Sequence, residues 1–233
     1  MTIQINNLKK TYGENTVLNI PALTLNEGEV IGLVGNNGAG KTTLMRLILD
    51  LIQATEGNVD NDGHPVATDP TWKEYTGSFV DDSFLINFYT PEEYFDFIAE
   101  VYGIDKDEMH ARLEDYTELM AGEVLGTGKL IKDFSMGNRQ KIGIIGAMVI
   151  NPRFLILDEP FNYLDPSSQI LVARMLEKMN RELGTTILIS SHNLTSVTDI
   201  CTRIILLEKG ILLKDLTNEP GATLQELEAY FAH

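Results

Sequence analysis

Apolar residues alternate with polar ones at the start of the chain (Ile3, Ile5, then Leu8), which predicts a half-buried strand ending in a turn at Tyr12-Gly13. A second short apolar run follows near Val17–Ile20. Glu29–Val34 is a compact apolar strand running straight into a glycine-rich turn. Beyond that turn, Leu44, Leu47, Ile48 and Leu51 recur at the spacing of a helix face. Strand, glycine loop and helix in this order form a unit of an α/β parallel sheet.

The pattern changes in the middle of the chain. Thr90-Pro91-Glu92-Glu93 carries a helix start: a capping threonine, proline in the first turn and glutamate three residues after the cap. Tyr94, Phe95, Ile98, Val101 and Tyr102 then predict one apolar face, and Gly103 ends the helix. Residues 83–146 are expected to form a helical lobe inserted into a sheet lobe made of residues 1–82 and 147–233. Strand character returns at Phe154–Leu157 and Thr185–Ser190. Between them Asp165-Pro166 opens a helix that Gly184 closes.

Bulk composition narrows the function classes. A length of 233 residues suits one large core or two tightly joined lobes. Net charge is −16, so the phosphate backbone of DNA or RNA would be repelled, and nucleic acid is not an expected partner. The single cysteine, Cys201, rules out an internal disulfide and fits a reducing compartment. An apolar leader before a cleavage site is not seen, so no secretory signal is expected. The apolar stretch Ile142–Ile150 is far shorter than the ~20 residues of a spanning helix.

Gly35-Asn36-Asn37-Gly38-Ala39-Gly40-Lys41-Thr42 fits the pattern G-x-x-x-x-G-K-[ST], and it follows a strand and opens a helix. Glycines there let the backbone curl so that N–H groups point at phosphate oxygens, and the helix adds its positive N-terminus. Lys41 would reach the outer phosphates and Thr42 would sit on Mg²⁺. Phe154–Leu157 delivers Asp158 and Glu159 to the carboxyl edge of the sheet, where open α/β folds bind ligands. There Asp158 would hold the metal through water and Glu159 would polarise the attacking water. His192 follows another strand to the same edge and could orient that water. His64, His110 and His233 read as surface or core histidines.

Together with Phe134-Ser135-Met136-Gly137-Asn138 and Asn162-Tyr163-Leu164-Asp165, these residues resemble the ATPase subunits of ABC transporters, from Tyr12 to about Gly210. The first string is similar to the family's signature and the second to its D-loop. The resemblance implies an α/β P-loop NTPase of the ABC type, with a mixed sheet lobe and an inserted α-helical lobe. It implies that Tyr12 stacks on adenine and that Gly35 to Thr43, Thr43 included, grip the phosphates and metal of ATP. Glu159 would be the catalytic carboxylate and His192 the switch histidine. Ser135, Gly137 and Asn138 would meet the ATP held by a second ATPase subunit. Two departures stand out: Met136 replaces the usual first signature glycine, and Asp81 stands where a glutamine normally faces the metal. The implied activity is ATP hydrolysis that powers a separate transmembrane permease, with wording closest to exporters and a place on the inner face of the cell membrane. The run Phe84-Leu85-Ile86-Asn87-Phe88-Tyr89 lies where such subunits receive the permease. The alternative class is a soluble ABC-type switch. The span from Lys41 to Asp158 holds no sustained heptads, which speaks against the coiled-coil members of that class.

Overall fold

A computed structural model describes residues 2–219 and 221–232 of the chain. Its N-terminal part is a four-stranded antiparallel sheet in the order β2-β1-β4-β5, made of β1 (Ile3–Tyr12), β2 (Asn15–Leu25), β4 (Glu56–Asn61) and β5 (His64–Pro65). The second sheet has six strands in the order β10-β9-β3-β8-β7-β6. These are β3 (Val30–Val34), β6 (Thr76–Phe79), β7 (Phe154–Leu157), β8 (Thr186–Ser191), β9 (Arg203–Glu208) and β10 (Ile211–Thr217). The first five run parallel, and only the edge strand β10 is antiparallel. The carboxyl ends of β3, β6, β7 and β8 therefore share one edge.

Strand residues alternate between two cores, as a period of two demands. On one face of the second sheet, Ile31, Leu33, Phe154 and Ile156 join Leu44, Met45 and Ile48 of α1 (Lys41–Ile48) and Ile3, Ile5 and Ile20 of the first sheet. The helix is thus clamped between two sheets. On the other face, Val30, Val34, Leu155, Leu157 and Ile189 pack against helices on the far side of the sheet.

Between β6 and β7 the chain forms α2 (Pro91–Tyr102), α3 (Lys106–Glu114), α4 (Thr117–Met120) and α5 (Met136–Met148). Their buried Phe95, Met109, Leu119 and Ile145 belong to the same cluster as Leu155 and Leu157, so the inserted helices and the sheet share one core. The capping box forms as expected: Glu93 N–H donates to Thr90 Oγ1 and Thr90 N–H donates to the Glu93 carboxylate. Gly103 ends α2 with φ of 64°. After β7 come α6 (Pro166–Leu183), α7 (Leu194–Ile200) and α8 (Ala222–Phe231).

Two apolar residues fall outside the faces their spacing predicts. Leu51 lies beyond the end of α1, past Asp50 with φ of 50°, and is 44% exposed. Val101 stays on α2 but points outward at 62% exposure. Both line one open groove with Trp72 and Tyr102, so their spacing reflects a surface feature rather than a core stripe.

Candidate functional site

The turn after β3 opens at a position whose contacts leave no room for a side chain. Gly35 has φ of 156°, and a Cβ there would lie 2.2 Å from the Leu207 carbonyl oxygen. Ala39 O accepts from Gly210 N–H at 2.8 Å, and Gly210 O accepts from Asn19 N–H at 2.7 Å, so the turn between β9 and β10 props the loop from behind. Lys41 is buried and folded over the loop, its Nζ donating to Gly35 O at 2.7 Å and lying 3.7 Å from Glu159 Oε1. Asn37, Gly38, Ala39, Gly40, Lys41, Thr42 and Thr43 line a groove of about 350 Å³ closed by Val17 and Glu159. Asn36 starts the same turn, its carbonyl accepting from Ala39 N–H.

At the end of β7, Asp158 accepts from Thr42 Oγ1 and from Ser190 Oγ. Burial pushes the Asp158 carboxyl above the usual carboxylate range, against these two hydrogen bonds and the nearby Lys41. Glu159 occupies the left-handed region with φ of 48°. Its N–H donates to Ser190 Oγ at 2.8 Å, and its carbonyl accepts from Gln140 Nε2 at 3.2 Å and from Asn162 N–H at 3.1 Å. Its carboxylate meets His192, with Nδ1 2.9 Å and N–H 3.3 Å from Oε2. The expected meeting of Lys41, Thr42, Asp158, Glu159 and His192 is therefore present. His64 and His110 pair instead with Asp69 and Asp96, and His233 lies outside the described residues.

Other candidates are placed apart. Tyr12 ends β1, largely exposed, with Lys10 Nζ 4.8 Å above its ring, and it is Val17 from this hairpin that lines the groove. Ser135 caps α5, accepting from Asn138 N–H at 3.3 Å, and Asn138 Nδ2 donates to Glu123. Gly137 abuts the Tyr163 carbonyl, where a Cβ would be 2.7 Å away. Ser135, Gly137 and Asn138 do not line the groove over the P-loop. Asp81 shares a second cleft with Asp158 and Glu159, yet its oxygens are engaged elsewhere: Ser83 N–H donates to Oδ1 at 2.7 Å, and Arg46 lies 3.4 Å from Oδ2. The Ser83 N–H and the Arg46 charge hold the Asp81 carboxyl below its ordinary range.

Three contributors were not read from the sequence. Ser190 joins both acidic residues, and its only signal is a hydroxyl near the end of an apolar strand. Gln140 sits among the residues after the signature-like string without a role of its own. Gly210 carries no local motif.

Residues 18–162 match the family model described as ABC transporter. The chain belongs to the ABC transporter family. It is an ATP-binding subunit of that family and an ATPase. The bacitracin transport ATP-binding protein BcrA of Enterococcus faecalis is 35% identical over 92% of this chain and 68% of its own length. The tungstate uptake system ATP-binding protein TupC of Peptoclostridium acidaminophilum is 33% identical over 90% of this chain and 96% of its own. A solved ATP-binding subunit of an ABC transporter superposes with a TM-score of 0.89, at 26% identity over 100% of both chains. The ABC subunit thus has its glycine loop, paired acids and histidine on one sheet edge. Among the described residues, no helix is long and apolar enough to cross a membrane.

Proposed function

We propose that two copies of this subunit close around ATP with magnesium, and that closure drives a separate transmembrane permease working as an exporter. The observation that carries the reading is the convergence of Lys41, Thr42, Asp158, Glu159 and His192 beside a glycine-lined groove. In this reading loop N–H groups and Lys41 hold the phosphates, while Thr42 and Asp158 hold the metal. Their oxygen donors suit a hard cation, and a cation relieves the cost of a buried Asp158 charge. Among the described residues no three His, Cys, Asp or Glu form a metal cluster, so phosphate oxygens and water would complete the shell. Bound there, the ion would neutralise developing charge on the phosphates. Glu159 takes the proton of the attacking water, and His192 orients it from the far side of the Glu159 carboxylate. Asp81, held by Ser83 N–H and Arg46, stands beside the metal shell rather than in it. Tyr12 stacks on adenine with the ring face opposite Lys10.

Ser135, Gly137 and Asn138 serve the partner's nucleotide, a role supported by their lying outside the lining of their own groove. The inserted helices, residues 83–146, act as the lobe that receives the permease and thereby tether the subunit to the inner face of the membrane. Export follows the wording of the motifs, and the 35% identity to the bacitracin transport protein supports transport without giving a direction; the tungstate uptake protein, at 33%, supports import as the second reading. Transport direction in vesicles containing the co-purifying membrane protein separates the two. The test of the core reading is Glu159→Gln with ATP in size exclusion. A dimer that appears with ATP and vanishes without it is expected, and a mutant that binds ATP yet stays monomeric overturns it.

A further inference from the structure

Two adjacent acids follow β6 where the resemblance offers a single glutamine, and they are tied in opposite directions. Asp81 reaches Arg46, one turn beyond Thr42 on α1, at 3.4 Å. Asp82 reaches Arg139 of α5 at 3.0 Å, and Arg139 also donates to Asn87 Oδ1. The ends of these ties lead to the same dipeptide. Thr42 on α1 donates to Asp158, and Gln140 on α5 donates to the Glu159 carbonyl. The contacts thus close a ring around a cleft of about 230 Å³ lined by Asp81, Asp82, Gln140, Asp158, Glu159 and Tyr163.

Both arginines use half of a fork. Nη2 makes each ion pair, while Nε of Arg46 and Nε of Arg139 are buried and have no hydrogen-bond partner. Nε and Nη2 together match the two oxygens of a carboxylate, so a small shift of the 81–82 segment completes a two-bond grip on either side.

We propose that Arg46 and Arg139 are positioning residues for hydrolysis, acting through Asp81-Asp82 to fix the backbone that presents Glu159. The ring links the helix that holds the phosphates to the helix capped by Ser135, and any strain in one reaches Glu159 through the other. This rests on Glu159 as the group that activates water.

A ring loses its constraint wherever it is cut, and that property gives the test. Steady-state ATPase is measured for Arg46→Gln, Asp82→Asn and the double variant. Each single change is expected to lower kcat roughly twofold to thirtyfold, the range of measured coupling effects, while KM for ATP moves less than about twofold. The double variant should be no slower than the worse single one. Unchanged kcat in either single variant, or losses that multiply, overturns the proposal. Should either variant fail to fold, Asp81→Asn and Arg139→Gln cut the same ties from their other ends. In a Glu159→Gln background Arg46→Gln should add nothing. Wild-type turnover in Glu159→Gln itself would instead sink the assignment of Glu159.

Discussion

A side-chain-bearing residue in the left-handed region costs about 1 kcal/mol or more, and at Glu159 three hydrogen bonds to its peptide groups hold that conformation. Ser190 supplies one of them while also holding Asp158. Ser190→Ala would leave the Glu159 N–H without its acceptor, a loss of about 1–3 kcal/mol, read as a lower thermal midpoint together with reduced kcat. Glu159→Gln keeps the shape but removes the base, so ATP binding should persist while hydrolysis falls ~10²-fold or more in a phosphate-release assay. Tyr12→Ala should weaken nucleotide binding by ~1–3 kcal/mol, equally for ATP and GTP, because stacking is tolerant of base identity; titration calorimetry measures it. The loop and the paired acids were legible because each is a contiguous string, and His192 because the apolar strand before it ends at the same sheet edge. Ser190 and Gln140 were not, since each matters only through a neighbour more than fifteen residues away.

Elements with strong boundary chemistry were read closely. The Thr90 box fixes the start of α2, and Thr90→Ala should cost about 1 kcal/mol in chemical denaturation with no change in nucleotide affinity. Strands buried on both faces, such as β3 and β7, announce themselves as unbroken apolar runs. The antiparallel edge strand β10 does not, because its residues alternate between exposed and half-buried positions and none is fully enclosed. The end of α1 was misjudged for a related reason: Leu51 continues the helical spacing, yet spacing alone cannot tell a core position from the wall of a groove. What the chain's pattern lacks in such places is the partner surface, which only the assembled sheets provide.

Over the whole molecule, charge and apolar exposure divide the surface. The chain carries −16 net charge, and ten of its acids fall between Pro91 and Glu118. Beside them Phe84 and Phe88 stand 54% and 73% exposed, with Lys132 Nζ 4.7 Å over the Phe88 ring. Replacing both with Ser should leave ATP binding and thermal stability nearly unchanged, since neither fills the core. The same variant should no longer co-sediment with membranes carrying the permease, whose docking segment is expected to present Lys or Arg around an apolar centre. A double variant that still co-sediments would remove this surface from the docking role.

The lone thiol gives the experimenter a convenient blank. Cys201 lies buried beneath α7, and burial pushes its pKa well above the ordinary thiol range, which starves it of the reactive thiolate. Maleimide dyes and nitroxides will pass it by in the folded chain. One cysteine introduced at Phe88 can therefore be labelled in an otherwise native background, and the approach of two such copies followed by energy transfer or dipolar spectroscopy as ATP is added.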